Sequence, residues 1–166
     1  RIEILPELGG RIYSAYDKTT GYDFFYKQHV IKPALIGCLG SWISGGMEFN
    51  WPFHHRPSTF MPTDYYVERQ PDGSVIVWLS EHDPFQRMKG MVGIVLKPNE
   101  ALFETRMQLC NRTPETTSFL WWENAAVPVN KSYQIFFPKD VSYVNFHYKR
   151  SVTTYPVATN ALGVYN

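Results

Sequence analysis

A chain of 166 residues can bury a core of its own, and 44% hydrophobic with 19% charged residues marks a globular rather than a disordered chain. Lys plus Arg number 16 and Asp plus Glu 15, a formal net charge of +1, without the basic excess that a nucleic-acid binder needs to neutralise phosphates. No apolar run approaches the roughly 20 residues of a membrane-spanning helix, so neither nucleic acid nor membrane is an expected partner.

From the N-terminus, Glu3-Ile4-Leu5 and Arg11–Tyr16 flank Gly9-Gly10 and read as two strands joined by a turn. Asp17-Lys18-Thr19-Thr20-Gly21 then turns the chain into a strand at Tyr22–Tyr26, since Asp and Gly supply turn chemistry. Leu35–Asp64 is long, rich in Gly, Trp, Phe, His and Pro, and poorly periodic. Plain connections are shorter and more polar, so this stretch is expected to be a structured functional loop. Gln70-Pro71-Asp72-Gly73 opens a strand at Ser74–Leu79. Phe103, Thr105, Met107 and Leu109 alternate with Glu104, Arg106 and Gln108, one apolar and one wet face. Lys97-Pro98-Asn99-Glu100 joins this run to Met88–Leu96, which predicts a hairpin. Further strands are expected at Phe119–Trp122, Ser132–Phe137 and Tyr143–Tyr148. With 12 Pro and 11 Gly and no capped amphipathic helix, the pattern predicts an all-β antiparallel sandwich, with residues 1–166 forming one β-rich domain. Cys38 and Cys110 lack Cys-x-x-Cys spacing and read as two buried thiols.

Two segments can carry chemistry. Trp42-Ile43-Ser44-Gly45-Gly46-Met47-Glu48-Phe49-Asn50-Trp51-Pro52-Phe53-His54-His55-Arg56 interleaves aromatic rings with a carboxylate, an amide and two imidazoles. A sugar needs both an aromatic surface for the C–H face of its ring and short polar groups for its hydroxyls. The competing reading is an aromatic plug at one end of the sandwich, with Glu48 and the histidines solvated. The second segment, Asn111–Pro128, contains Trp121-Trp122-Glu123-Asn124. Adjacent residues of a strand point to opposite faces, so one tryptophan belongs in the core and the other, with Glu123 or Asn124, on the far surface. By the same geometry His54 and His55 make poor joint ligands, and no spacing matches a metal site. Neither a metal nor a cofactor is expected. Glu48, His54, His55 and Glu123 are the weak catalytic candidates. If Glu48 and Glu123 faced each other they would form a glycosidase-like pair.

Leu5-Pro6-Glu7-Leu8-Gly9-Gly10-Arg11, Trp42–Asn50 and Trp121–Val129, in that order, resemble a bacterial domain family of unknown function within the galactose-mutarotase-like superfamily, one often joined to tetratricopeptide repeats. The resemblance implies a large antiparallel supersandwich that binds carbohydrate on a concave sheet face, of which this chain looks like the N-terminal half. For carbohydrate recognition the residues expected to bind substrate are Trp42, Glu48, Asn50, His54, His55, Trp122 and Asn124, the aromatics stacking and the others meeting hydroxyls. The resemblance places a mutarotase acid near Glu123-Asn124, where this sequence has no His, and the base beyond Asn166, so no residue here is assigned as either. An epimerase or glycosidase, and a structural domain that docks partner modules such as tetratricopeptide repeats, are the alternatives. Half of a supersandwich would also leave open sheet edges, so self-association through an edge, or a large apolar patch, is expected.

Overall fold

The turn residues read from the sequence delimit strands in a computed structural model, which describes residues 1–35, 41–52, 55–56, 58–146 and 151–155. The chain divides into two compact units, Arg1–Pro128 and Val129–Asn166.

The first unit holds β1 (Ile2–Leu5), β2 (Arg11–Asp17), β3 (Tyr22–Asp23), β4 (Ala34–Leu35), β5 (Ser41–Trp42), β6 (Met47–Asn50), β7 (Asp64–Arg69), β8 (Val75–Asp83), β9 (Met88–Leu96), β10 (Phe103–Asn111) and β11 (Trp122–Ala125). A three-residue 3-10 turn, Pro6–Leu8, is the only helical element among the described residues. One sheet runs β1-β2-β6-β11 with β3 attached to β2, a second runs β10-β9-β8-β7, and β4 pairs with β5. All of these pairings are antiparallel.

Local chemistry explains the boundaries. In the turn after β2, Asp17 accepts hydrogen bonds from the Thr19 amide and the Thr20 hydroxyl, each at 2.8 Å. The expected 97–100 turn places Asn99 at φ 58°, a conformation Asn tolerates better than most residues. In the 70–73 turn the Asp72 carboxylate accepts from the Ser74 amide at 2.9 Å, and this turn joins β8 to β7. A bulge between Glu3 and Ile4 pairs Ile4 with Ile12 but Glu3 with Ser14. The extra residue changes which side chains face inward. Ile12 and Ala15 both reach the core, while the Ser14 hydroxyl turns to Asp23 at 2.6 Å.

The two sheets share one core. Ile12, Met47 and Phe49 from the first meet Leu79, Val92 and Ile94 from the second, with Phe25 and Trp51 between them. This is the expected antiparallel sandwich. Trp51 is 2% exposed and lies where a Cβ on Gly90 would stand 1.9 Å from its indole nitrogen. Glycine at 90 is therefore what admits the ring.

In the second unit, β12 (Tyr143–Phe146) pairs with β13 (Ser151–Thr154). The strand expected at Ser132–Phe137 is absent from every ladder among the described residues. Its apolar side chains favour a pleated surface but find none to join, and Ile135 and Phe136 stay 76% and 83% exposed. Three other expectations are corrected. Leu35–Asp64 is not simply an irregular loop, because it contains β6, which pairs with both β2 and β11. Phe119–Trp122 is strand only from Trp122, the ladder running on to Ala125. Cys110 is an exposed free thiol rather than a buried one, because it lies on the far side of β10 from the core; Cys38 lies outside the described residues.

Candidate functional site

β6 and β11 lie side by side with Trp122 opposite Asn50, Glu123 opposite Phe49, and Asn124 opposite Glu48. Directly opposed residues share a face. Met47 and Phe49 point into the core, so Glu48, Asn50, Trp122 and Asn124 together occupy the outer face. Trp121, one residue earlier, packs inward and stacks on Trp51, with ring centroids 5.5 Å apart and planes 12° apart. Thus one tryptophan serves the core and its neighbour the surface. Glu123 shares the face of Phe49, not that of Glu48. The two carboxylates do not converge, and a glycosidase-like Glu48–Glu123 pair is ruled out by strand alternation.

Glu48 is the centre of the outer face. It is 3% exposed, contrary to the solvated carboxylate of the plug reading. A buried carboxylate persists only when its lone pairs are met. Asn124 Nδ2 donates to Oε1 at 3.0 Å and the Thr59 hydroxyl to Oε2 at 2.8 Å. His55 Nδ1 lies 2.7 Å from Oε1, and because a carboxylate only accepts, that nitrogen carries the hydrogen. Arg11 Nη2 stands 3.6 Å from Oε2, an ion pair with both partners buried.

Arg11 is held in turn by backbone. Its Nη1 donates to the carbonyls of Ile43 at 3.0 Å and Gly45 at 2.6 Å. The Gly45-Gly46 pair makes this possible, since their φ angles are 96° and 69°, where a side chain is strained. A Cβ on Gly46 would also stand 2.3 Å from the carbonyl oxygen of Ile12. Burial pushes the Arg11 guanidinium below its ordinary pKa, and the charge of Glu48 opposes that shift. Arg11 Nε and Nη2 and Asn50 Nδ2 have no hydrogen-bond partner among the described residues.

Above this network is a recess of about 90 Å³ lined by Trp42, Gly45, Glu48, Arg11, Asn124 and Ala126, among others. The His55 ring stands between two indoles, edge-on to Trp122 at 4.8 Å and tilted to Trp42 at 6.4 Å. Of the residues expected to bind substrate, Trp42, Glu48, Asn50, His55, Trp122 and Asn124 are therefore gathered on one face. His54 lies outside the described residues. Among the described residues, no three His, Cys, Asp or Glu form a group able to hold a metal ion.

Sequence reasoning overlooked Arg11, Thr59 and the part played by Arg56. Arg56 Nη1 donates to Glu81 and Nη2 to the carbonyl of Gly9, and its guanidinium lies 4.4 Å from the Trp51 ring centroid. Burial lowers its pKa, against the opposing charges of Glu81 and Glu48. It ties the segment after β6 to β8 and to the β1–β2 turn. The available signal was Gly9-Gly10 directly before Arg11, and Trp51 five residues before Arg56.

Residues 1–166 match the family described as Domain of unknown function (DUF5107). The backbone is similar to that of a TPR-domain-containing protein from Parabacteroides distasonis, with a TM-score of 0.70 and 23% sequence identity. The match covers 78% of this chain and 22% of that one, so it spans under a quarter of the larger protein and carries the fold alone.

Proposed function

Since the chain belongs to the DUF5107 family along its whole length, its chemistry has to come from its site, and we propose that it recognises carbohydrate on the outer face of the β1-β2-β6-β11 sheet. The observation that carries this reading is that Trp42 and Asn124 line one small recess, and that His55 beside it packs against both Trp42 and Trp122. At about 90 Å³ the recess is far below the roughly 300 Å³ of a whole-ligand pocket. It suits one hydroxyl-bearing substituent. The sugar ring would lie across Trp122, its C–H face against the indole. Asn124 would offer its amide oxygen to a hydroxyl, its nitrogen being held by Glu48.

In this reading Glu48 is a positioning residue. Its oxygens already accept from His55, Asn124 and Thr59, which orients the groups that meet the ligand and favours binding over proton transfer. The sandwich would be part of a galactose-mutarotase-like supersandwich, with this face concave. Isothermal titration with glucose, galactose, mannose and their disaccharides tests the reading. Trp122→Ala and Asn124→Ala should each weaken the best ligand at least about tenfold, the loss of one stacked ring or one charge-positioned hydrogen bond. No heat with any of these sugars, from folded protein, would overturn it.

A second reading, docking of tetratricopeptide repeats within the parent chain, is favoured by the structural likeness to a TPR-domain-containing protein. It predicts that Trp42 and Trp122 become protected from solvent when such repeats are present, without any response to sugars.

A further inference from the structure

A second aromatic surface lies on the other sheet and shares no lining residue with the recess. Tyr66, Trp78 and Gly93 stand opposite one another across β7, β8 and β9, and Arg106 continues the row on β10. Asp64, Ser80, Met91 and Gln108 form the next row on the same face. Leu79 and Val92 point into the core, so both rows face outward.

Three details set Trp78 apart from an ordinary surface tryptophan. First, a Cβ on Gly93 would stand 2.6 Å from the Trp78 ring, so the indole lies against the bare backbone of the next strand. Glycine inside a strand weakens it and marks a place of close approach. Second, the ring is fixed. Its Nε1 donates to Glu68 Oε2 at 2.6 Å, and Gln70 Nε2 donates to the other oxygen of Glu68 at 2.6 Å. Third, Tyr66 beside it is 66% exposed and Tyr65 61% exposed, and with Asp64, Trp78, Ser80 and Met91 they line a groove of about 230 Å³.

We infer that this groove is a second carbohydrate-binding platform, taking one ring of a glycan chain on the Trp78–Tyr66 surface. A fixed, flat indole presents an apolar face without losing rotamer freedom on binding. The Asp64 carboxylate, the Ser80 hydroxyl and the tyrosine hydroxyls accept from and donate to ring hydroxyls. Asp64 forms no ion pair among the described residues, so it is available. A protein partner is the poorer fit, because rings alternate here with polar groups instead of forming the continuous apolar centre of an interface. The inference rests on different residues from the recess and stands or falls without it.

The test is ¹⁵N-resolved NMR of the whole chain titrated with hexasaccharides of β-1,4-glucose, β-1,4-xylose, β-1,4-mannose and α-1,4-glucose. At least one should shift the Trp78 indole signal and the Tyr66 amide. Tyr66→Ala, at an exposed position, should weaken that sugar at least about fivefold with the remaining spectrum unchanged. Trp78→Ala should abolish binding at this face while leaving any response of the Trp122 indole intact. Two results would overturn the inference. One is no shift at Trp78 or Tyr66 with any of the four. The other is sugar affinity unaltered in both variants with stability lowered in Trp78→Ala, which would mean that the ring only covers Gly93.

Discussion

Replacing Glu48 asks how much of this fold hangs on one buried carboxylate. Glu48→Ala removes the acceptors of His55, Thr59 and Asn124 and leaves Arg11, 3% exposed at its side chain, without its counter-charge. Breaking a buried ion pair from one side costs about 3–5 kcal/mol. Two effects act against the upper figure. Arg11 keeps the carbonyls of Ile43 and Gly45, and the adjacent recess can admit water to the orphaned donors. The expected loss is therefore about 3–4 kcal/mol, against a total of about 5–15 kcal/mol for a typical domain. Glu48→Gln removes the same counter-charge but keeps one oxygen for His55 and Asn124, and should cost about 2–3 kcal/mol, less than Glu48→Ala. Urea unfolding followed by tryptophan fluorescence reads both as shifts of midpoint at constant slope. In a double-mutant cycle with Arg11→Met, the combined loss should fall short of the sum by about 1 kcal/mol or more. The reasoning is refuted if Glu48→Ala stays within about 0.5 kcal/mol of the parent, the range of an ordinary surface change, or if the cycle shows strict additivity.

Gly90→Ala should cost about 3 kcal/mol by the same assay, because its methyl group meets a Trp51 ring pinned by Trp121 and Arg56 and overpacking is seldom relieved there; near-parental stability would show that Trp51 can move. Partial burial pushes the Asp23 carboxyl up, but hydrogen bonds from Lys27, Ser14 and the amides of Phe25 and Ala15 outweigh it and hold the pKa at about 2. A depressed folded-state value means that its contribution is present above about pH 4 and is lost as pH falls toward 2. With the side chain 22% exposed this amounts to about 1–2 kcal/mol, and Asp23→Asn should flatten stability between pH 4 and 2 by that amount; an unchanged acid limb rejects the assignment. β7 ends the second sheet and exposes Tyr65, Tyr66 and Val67, so light scattering behind size exclusion should show association that grows with concentration. Val67→Lys should abolish it, since a charge blocks edge pairing, and a monodisperse parent at every concentration counts against an open edge.

What the residues determine by themselves here is whatever rests on neighbours in sequence. Asp17–Gly21, Gln70–Gly73 and Lys97–Glu100 form turns because Asp, Asn, Pro and Gly bias the backbone locally, and the alternation along Phe103–Leu109 gives a strand with one wet face. The 42–50 and 121–129 words likewise carry their own signal, since aromatic and polar side chains mixed over so few positions suit neither a plain core nor a plain loop. The rest waits on tertiary structure. β6 is buried on both faces, so Met47–Asn50 shows no period from which a strand could be read. Ser132–Phe137 has the composition of a strand and no ladder to join among the described residues. That Glu48 faces Asn124 and not Glu123 depends on a register between segments 76 residues apart, which no local preference encodes. The same pairing turns Glu48 from a solvated side chain into the buried partner of Arg11, because only the folded sheet brings a cation from β2 and a carboxylate from β6 out of water together, where each makes the other tolerable.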